Sequence, residues 1–507
     1  MSLRGRFGAR AAALAAVLVL IVFSGSCGDY FRPVANPVFP PGGDPQRTRH
    51  ALVISTNGSN PGTALAIDVS GDTAVALFSG VNGVGRNPVY ATYISGFDYV
   101  VNHDDNSVSA FVLPVAPNSL NPPTLITLPG GANPVFAAVA QSKLFVAESA
   151  RNALAVIDSS DSVTQEIPVG SNPVALVATP DGTKLYCLNQ GDNTVSVIFP
   201  STNQNVATIP VGALPILGAV SADGVHVFVL NQGSSNMSVI NTVNDTVVPG
   251  ATFSVGAGPN YITYQTSLNR AYITSPAGNS LSIFDNTAGT VQTISLAGAP
   301  CYGQHPISVT ALADGTRVYV TDDVTNSVCV LNTTSNTFTK RICLVQEPST
   351  PAAACVGTAT PVSIASDSDS FRVYTANRYQ TGPFGISSIS RASSVVTVTG
   401  SFCSGSACIE AGHPLTISGV SDFSYNGTFG VTSMNPSHTQ LTYVQTGFGD
   451  STSSGGTVAL LPYVSLIQTS DDTLLLNTTE ATTVPGLTTP PLTISAGGTP
   501  SFMTMTP

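Results

Sequence analysis

Short hydrophobic runs separated by turn residues recur along this chain at roughly 40-residue spacing. Within residues 171–212 the runs are PVALVAT, KLYCLN, TVSVIF and VATIPVG, each bounded by Gly, Pro, Asn or Asp. Runs of this length and content predict strands, and the bounding residues predict tight turns. A four-stranded unit must stack on copies of itself to bury both of its faces. The pattern therefore predicts an all-β repeat protein.

Two marks align the repeats. Each first strand opens on a proline, namely Pro88, Pro134, Pro173, Pro215, Pro259, Pro306, Pro361 and Pro500. Each second strand carries a tetrad, in order YVVN, FVAE, YCLN, FVLN, YITS, YVTD and YTAN. These tetrads resemble the YVTN-type β-propeller repeat of bacterial and archaeal surface proteins, over nearly all of residues 49–390 and 463–507. The resemblance implies a propeller of four-stranded antiparallel blades, and the prolines indicate eight blades, with seven as the alternative.

The two ends of the propeller region complement each other. Residues 49–86 supply HALVISTN, TALAIDV and AVALFSG, which match second, third and fourth strands. The missing first strand matches GGTPSFMTMTP at the other terminus. We therefore expect the C-terminal strand to join the N-terminal blade and close the ring, which removes an open sheet edge.

An insert interrupts the last repeat at residues 393–462, so the propeller comprises 49–392 and 463–507. The insert has its own alternating runs (VVTVTG, PLTISGV, GTFGVTS, QLTYVQT and TVALL), which predict a small β-barrel or sandwich of about five strands. It lies in a second-to-third-strand connection. Because loops on a rigid scaffold carry binding residues, we expect the binding surface on the face from which the insert rises.

The N-terminus is typical of a processing signal. Arg4, Arg6 and Arg10 precede the apolar segment 11–23, which is short for a membrane span. Residues 1–26 are therefore predicted to be a signal peptide. Ser24-Gly25-Ser26 before Cys27 resembles the bacterial lipobox, which implies lipidation of Cys27, with simple secretion as the alternative. The Pro/Gly-rich residues 27–48 would then tether the propeller to a cell-envelope membrane, at the outer membrane, cell surface or periplasm.

Charge excludes several kinds of partner. Only 9% of residues are charged. Removal of residues 1–26 takes away three arginines and leaves 14 basic against 28 acidic residues. An acidic chain without a basic patch is not expected to bind nucleic acid or anionic lipid. Contact with a membrane is therefore expected only through a lipid anchor.

The predicted channel wall is poor in reactive groups. The innermost strands carry no histidine and, until the Asp that ends VSIASD, no charge, which leaves a wall of Val, Ala, Thr and Ser. General acid–base chemistry and metal binding both need ionisable or ligating groups that converge. We expect no catalytic residue, metal or cofactor. Calcium is the alternative, because HDDN, GDN and DDVTN place acids in second-to-third-strand loops, where turn geometry alone also explains them.

Four residues before opening prolines are candidate binding residues at the channel mouth: Asn87, Asn133, Asn172 and His305. A polar ring of this kind suits sugars or peptides. The competing interpretation is that Asn-Pro starts a turn and the amide satisfies local backbone, and that His305 is structural.

Eight cysteines fit an oxidising compartment. Cys403 and Cys408, in CSGSAC, are predicted to form a disulfide. Cys329–Cys343 and Cys301–Cys355 are the other predicted pairs, with any exchange among these four cysteines as an alternative. Cys187 remains as a free buried thiol.

Together these features favour a non-enzymatic, secreted or lipid-anchored propeller that binds a protein, peptide or cell-wall glycan. The alternatives are a lactonase-type hydrolase, because sugar-lactone hydrolases share a related propeller, and an assembly factor that docks other envelope proteins.

Overall fold

The computed structural model describes residues 50–506, with gaps at 70–72, 79–82, 95, 114–121, 345–354, 356–359, 370, 379–382, 405–406, 410, 476–492 and 497–498. The predicted signal peptide, the tether and Cys27 lie outside these residues. Within them the one helical segment is a 3-10 turn at Phe423–Tyr425, and nearly all other regular structure is strand. No helix in this described part has the length and hydrophobicity to cross a bilayer.

Eight antiparallel sheets form the blades of a β-propeller, which confirms the predicted fold and the count of eight. Blades 1 to 4 contain β1 (His50–Asn57), β2 (Asn60–Asp68), β3 (Thr73–Phe78), β4 (Pro88–Ile94), β5 (Phe97–Asn102), β6 (Ser107–Phe111), β7 (Thr124–Thr127), β8 (Pro134–Ala140), β9 (Lys143–Glu148), β10 (Ala153–Ile157), β11 (Val163–Pro168), β12 (Pro173–Ala178), β13 (Leu185–Asn189), β14 (Thr194–Phe199) and β15 (Gln204–Pro210). Blades 5 to 7 contain β16 (Pro215–Val220), β17 (His226–Asn231), β18 (Asn236–Asn241), β19 (Thr246–Ser254), β20 (Tyr261–Gln265), β21 (Arg270–Ser275), β22 (Ser280–Asp285), β23 (Thr290–Ser295), β24 (Pro306–Ala311), β25 (Arg317–Asp322), β26 (Ser327–Asn332) and β27 (Thr337–Cys343).

Blade 8 begins with β28 (Thr360–Ser366) and β29 (Arg372–Arg378) and resumes after the insert. The insert contains β30 (Phe384–Ala392), β31 (Val395–Gly400), β32 (Cys403–Ser404), β33 (Ala407–Cys408), β34 (Pro414–Ser418), β35 (Gly427–Gly430), β36 (Ser433–Met434), β37 (Gln440–Val444), β38 (Ser451–Ser453) and β39 (Thr457–Leu460). The chain then returns to the propeller with β40 (Tyr463–Gln468), β41 (Thr473–Leu474), β42 (Thr493–Ser495) and β43 (Thr499–Thr506). In blade 8, β40 pairs with β29, β41 and β42.

The C-terminal strand closes the ring. β43 pairs antiparallel with β1, so blade 1 has the order β3-β2-β1-β43. The innermost strands contact one another in sequence around the channel, from β4 through β8, β12, β16, β20, β24 and β28 to β43, which contacts β4. The predicted complementarity of the two ends is therefore confirmed.

The hydrophobic core lies between neighbouring blades. Second and third strands such as β9 and β10 are buried on both faces, because each blade packs against the next. Tyr99 and Val101 of blade 2, for example, share a cluster with Leu144 and Val146 of blade 3. Near-continuous apolar runs in these strands follow from this double burial.

The tetrad tyrosine also ties neighbouring blades together by hydrogen bonds. The bond runs from a tyrosine hydroxyl to an aspartate in the third-to-fourth-strand turn of the next blade. Three such bonds are Tyr99 to Asp161 (2.8 Å), Tyr186 to Asp245 (2.6 Å) and Tyr319 to Asp472 (2.5 Å). They lie on the face opposite the insert, so this repeated motif serves the assembly of the ring.

The insert forms an eight-stranded sheet with its own core, together with the separate two-stranded hairpin β32–β33. The strand order is β35-β34-β39-β30-β31-β37-β36, with β38 also paired to β30. The five predicted runs are β31, β34, β35, β37 and β39. The insert begins before the predicted Ser393, because β30 pairs with β31 and buries Ile386 and Ile389 in the core of the insert.

The disulfides are Cys301–Cys329, Cys343–Cys355 and Cys403–Cys408. The last was predicted, whereas the preferred pairs Cys329–Cys343 and Cys301–Cys355 are wrong. Strand register gives the reason, because β27 places Arg341 opposite Cys329, so Cys343 is two residues out of line. Cys329 instead faces the interface with blade 6, where Cys301 is also buried. Cys187 is free and buried, as predicted.

Candidate functional site

The channel wall consists of the eight innermost strands. Their residues, all within the part of the chain that the structure describes, include no charged side chain and no histidine. The wall is more aromatic than the expected Val, Ala, Thr and Ser. Tyr90 stacks on Phe136 with ring centroids 3.8 Å apart and lies 4.8 Å from the ring of Phe502. These rings belong to blades 1 to 3.

Tyr261 belongs to blade 6, which faces blade 2 across an eight-membered ring. Burial raises the pKa of the Tyr90 hydroxyl, and its interaction with Tyr261 raises that pKa further. Aromatic side chains thus occur on opposite sides of the described channel wall, in β4 and β20. The described channel wall therefore offers apolar and hydroxyl groups to a ligand.

The mouth of the channel lies on the insert-bearing face, which we define as the face formed by the blade-to-blade loops and the second-to-third-strand connections. Asn87, Asn133 and Asn172 occupy equivalent positions there, with left-handed φ values of 51°, 45° and 51°. Leu214 has φ 52° at the same position of blade 5. In blades 2 to 5 the residue before the proline is therefore left-handed, a conformation that Asn tolerates better than most residues, whereas His305 in blade 7 does not adopt it.

The three asparagines are also bonded within their own blades. The carbonyl of Asn87 accepts from His103 N at 3.0 Å, and that of Asn172 accepts from Gln190 N at 2.9 Å. The Asn133 carbonyl accepts from the Ser149 hydroxyl at 2.7 Å. These contacts join the blade-to-blade loop to the end of the second strand. The structure therefore places the three residues around the mouth, each held by a structural contact.

Two of the asparagine amides have side-chain partners as well. Asn87 Nδ2 donates to Asp104 Oδ1 at 3.1 Å, and Asn172 Nδ2 donates to Gln190 Oε1 at 3.1 Å. The expectation that the amides satisfy local backbone is therefore too simple, because these amides bond to side chains.

His305 forms a pair with an acid. Its Nδ1 lies 2.7 Å from Asp323 Oδ1. The backbone N–H groups of Gln304 and His305 both donate to the buried Asp322 carboxylate, which fixes the loop. The ring is thus oriented by Asp323 and its backbone by Asp322. This is the hydrogen-bonding pattern of an oriented imidazole.

Blade 2 carries a second such pair. His103 Nδ1 lies 2.7 Å from Asp104 Oδ1, and the hydrogen bonds from His103 and Asn87 lower the pKa of Asp104. Asp105 binds Arg86. The acids considered as calcium ligands in HDDN and DDVTN therefore face protein donors. Among the described residues, three side chains that could ligate one metal ion converge only at Cys403, Cys408 and His438, in the insert.

The tetrad asparagine has a structural task below the mouth. Its amide donates to two acceptors on the third strand in three blades: Asn102 to Ser107 and Ser109, Asn189 to Thr194 and Ser196, and Asn231 to Asn236 and Ser238. The amide thereby fastens the end of the second strand to the third strand.

Blade 3 replaces this asparagine with Glu148, and alanines (Ala153, Ala155) replace the acceptors. The Glu148 side chain is 0% exposed. Its carboxyl lies 3.6 Å from Arg151 Nε, and Arg151 binds Glu166 through two hydrogen bonds of 2.7 and 2.9 Å. Burial raises the pKa of Glu148 to about 8, and the neighbouring Glu166 contributes to that rise. Sequence reasoning missed this group because FVAE reads as one more tetrad.

The insert exposes two aromatic rings around a buried arginine. Phe423 is 84% exposed and Phe448 is 52% exposed, whereas Arg391 is 3% exposed. The Arg391 guanidinium lies 4.6 Å from the Tyr425 ring and 5.0 Å from the Phe448 ring. It also donates to Gly449 O at 3.0 Å and to Gln445 Oε1, Ser424 Oγ and Ser451 Oγ at 2.8, 2.8 and 3.0 Å. We call Phe423, Phe448 and the loops that hold them the insert tip.

Comparisons with known proteins give structural neighbours without a family. No protein-family model matches the sequence, and no curated protein matches it. The chain is similar to hydrazine synthase of Kuenenia stuttgartiensis (17% identity, 57% of this chain and 92% of that one, TM-score 0.45). It is also similar to virginiamycin B lyase from Staphylococcus aureus (15%, 57% and 91%, 0.44) and to a periplasmic gluconolactonase of Pseudomonas aeruginosa (17%, 58% and 95%, 0.44).

Proposed function

We propose that this protein is a non-enzymatic β-propeller of the bacterial envelope that binds a protein, peptide or cell-wall glycan through its insert-bearing face. The observation that carries the proposal is the insert tip. An 84%-exposed Phe423 and a 52%-exposed Phe448 are presented by loops that the buried Arg391 holds in place. Exposed aromatic rings on a fixed support are typical of recognition surfaces.

The composition of the described channel wall supports a binding function rather than a catalytic one. The described channel wall has no group able to exchange a proton near neutral pH, and its aromatic side chains include Tyr90, Phe136 and Phe502. The asparagines at the mouth make structural contacts within their blades. The proposal therefore places recognition on the rim and the insert.

The test is a binding assay with a Phe423→Ala/Phe448→Ala double variant. We expect co-sedimentation with insoluble cell-wall glycan, or capture of an envelope protein, to fall at least about tenfold. Val243→Ala is the matched control, because Val243 is 79% exposed in a third-to-fourth-strand turn on the opposite face. Equal binding by wild type and double variant would contradict the proposal. Capture of outer-membrane proteins without glycan binding would favour the assembly-factor form.

Lipid anchoring is the second part of the proposal. Cys27 follows a predicted signal peptide and precedes a Pro/Gly-rich tether. We expect wild-type protein to remain with membranes and Cys27→Ser protein to move to the soluble fraction. Membrane association that persists in the variant would contradict lipidation as the anchor, and wild-type protein found in the soluble fraction would favour simple secretion.

A lactonase-type hydrolase is the second candidate, favoured by the pairs His305–Asp323 and His103–Asp104 at the channel mouth. An imidazole oriented by a carboxylate is suited to general base catalysis. If the protein hydrolyses a sugar lactone, His305→Gln should lower kcat/KM at least about a hundredfold. His226→Gln is the control and should leave kcat/KM unchanged. His226 lies in β17 and contacts Asn286 near the opposite face. Absence of lactone hydrolysis by the wild type would remove this candidate.

A further inference from the structure

Three potential metal ligands meet in the insert, beyond the end of β31 that is opposite the insert tip. The ligand atoms of Cys403, Cys408 and His438 all lie within 4.8 Å of one another. Cys403 and Cys408 are directly opposite on the hairpin β32–β33, with Cα atoms 4.1 Å apart, and form a disulfide. Directly opposed positions also suit two thiolates that bind one ion, because their side chains leave the hairpin on the same face.

The histidine is held at the disulfide by a rigid loop. Asn435 Oδ1 accepts from the N–H groups of Thr439 and Gln440 at 2.9 and 3.0 Å, which closes the turn that contains His438. The His438 carbonyl accepts from Phe402 N at 3.0 Å, next to Cys403. These contacts hold the His438 backbone beside the hairpin without involving the disulfide.

Exposure distinguishes this disulfide from the other two. Cys301 and Cys329 are 0% exposed, and Cys343 and Cys355 are 5% and 4% exposed. Cys403 and Cys408 are both partly exposed. Because thiol–disulfide exchange requires access of the attacking thiolate to sulfur, a reductant reaches Cys403–Cys408 first.

The same disulfide contributes least to the fold. It joins residues separated by 5 positions, whereas Cys301 and Cys329 are separated by 28. A short closed loop removes little entropy from the unfolded chain. The insert also has a core of its own, in which Phe402 and Ile409 flank the hairpin at 0% exposure. The hairpin therefore keeps its position when the disulfide opens.

We propose that Cys403, Cys408 and His438 form a redox-gated site for one Zn²⁺ ion. A dithiol reductant transfers two electrons to the disulfide and itself becomes a disulfide, which leaves two thiols on the protein. On binding Zn²⁺ these thiols release two protons, and both sulfurs and an imidazole nitrogen ligate the metal. Cys and His are the ligands that Zn²⁺ prefers, and three protein ligands leave a fourth position for water. The oxidised protein does not bind the ion, because its sulfur atoms are bonded to each other.

The test uses the mature chain after mild dithiol treatment. Alkylation and mass spectrometry should find Cys403 and Cys408 reduced while both core disulfides remain intact. Co²⁺, as a spectroscopic substitute for Zn²⁺, should then bind at one ion per chain and give a thiolate-to-cobalt charge-transfer band. Zn²⁺ should displace it. The oxidised chain should show no such band.

Variants separate this site from adventitious binding. Cys403→Ser should abolish the band, and His438→Gln, which keeps both sulfurs, should weaken Co²⁺ binding at least about tenfold. Ser437→Ala is the matched control on the same loop and should bind as wild type does. Circular dichroism checks that each variant is folded. If Cys403→Ser folds poorly, His438→Gln still tests the site, because it retains the disulfide. No band from the reduced wild type, unchanged affinity of His438→Gln, or earlier reduction of a core disulfide would each overturn the proposal.

Discussion

At the residue scale, the departures from the repeat are more informative than the repeat itself. Most tetrads end in a neutral side chain that bonds to the third strand, whereas blade 3 ends in Glu148 beside Ala153 and Ala155. The exchange leaves a buried carboxyl whose nearby charged groups are Arg151 and Glu166. Burial raises its pKa to about 8, which makes it the acid in the described blades best placed to affect stability near neutral pH.

Glu148→Gln should change how stability depends on pH. A carboxyl whose folded pKa is raised lowers stability as pH rises from its unfolded value of 4.5 towards about 8, because the folded state resists ionisation. The variant lacks this titration, so its Tm should exceed that of wild type by about 2 °C at pH 9 but not at pH 5. Thermal melts across this range provide the measurement.

The difference between the two melting profiles isolates Glu148. Asp98, whose pKa burial raises to about 7, gives the same trend in both proteins. Glu166→Gln removes the neighbouring acid that contributes to the raised pKa of Glu148, so it should weaken the pH trend that Glu148 produces in wild type. Parallel profiles for wild type and Glu148→Gln would contradict the assignment.

The tetrad tyrosines allow a second, internally controlled test. Tyr186 donates to Asp245 at 2.6 Å, whereas no described carboxylate accepts from the buried hydroxyl of Tyr272 in blade 6. Tyr186→Phe should therefore cost about 1–2 kcal/mol of unfolding free energy, and Tyr272→Phe close to none. Chemical denaturation measures both. Equal losses of unfolding free energy would show that the interblade hydrogen bond does not contribute to stability.

At the element scale, β43 is a strand of the first blade although it follows the strands of blade 8 in sequence. It pairs with β1 and contacts β4 and β28, so it joins three blades. Met503 of β43 is buried and packs in a core with residues of blades 1 and 8. One strand therefore completes a sheet and two interfaces.

Deletion of residues 499–507 should lower Tm by far more than deletion of residues 28–40, which belong to the predicted tether. The first deletion exposes the edge of β1 and removes an innermost strand. Melts of the two truncated proteins beside wild type give the comparison. Similar Tm values for the two truncated proteins would contradict closure of the ring by β43.

The strands of the propeller could be predicted from the sequence because a local pattern repeats. Contacts between residues distant in sequence could not. The prolines, the tetrads and the unmatched ends of the chain give eight blades and their closure. The disulfide pairs failed because a register difference of two residues, set by how β26 meets β27, separates Cys329 from Cys343. The contact of Tyr90 with Phe136 and the cluster around Arg391 join residues distant in sequence, so no single stretch of sequence reveals them.

At the scale of the whole molecule, the propeller and the insert have separate cores. The insert core contains residues from Phe384 to Leu460, without a buried propeller residue. The strands on either side of the insert are neighbours, because Asn377 of β29 lies opposite Tyr463 of β40. The insert thus occupies the position of an ordinary short connection between second and third strands.

Replacing residues 379–462 with HDDN, the connection of blade 2, should leave the propeller folded. Its Tm should stay within about 3 °C of wild type, since domains inserted at such connections fold independently. Binding should be lost with the insert tip. The measurements are thermal unfolding and the co-sedimentation described above, and wild type should show an additional unfolding transition for the insert. A collapse of propeller stability would contradict this division.

The pairing of β43 with β1 also sets the order of events during biogenesis. The second, third and fourth strands of the first blade are synthesised before any other blade, whereas its innermost strand, β43, is synthesised after blades 2 to 8. Until β43 is available, the edge of β1 that it covers has no partner strand in the growing chain. Synthesis of residues 499–506, rather than of any single repeat, is thus the step that allows the first blade to be completed.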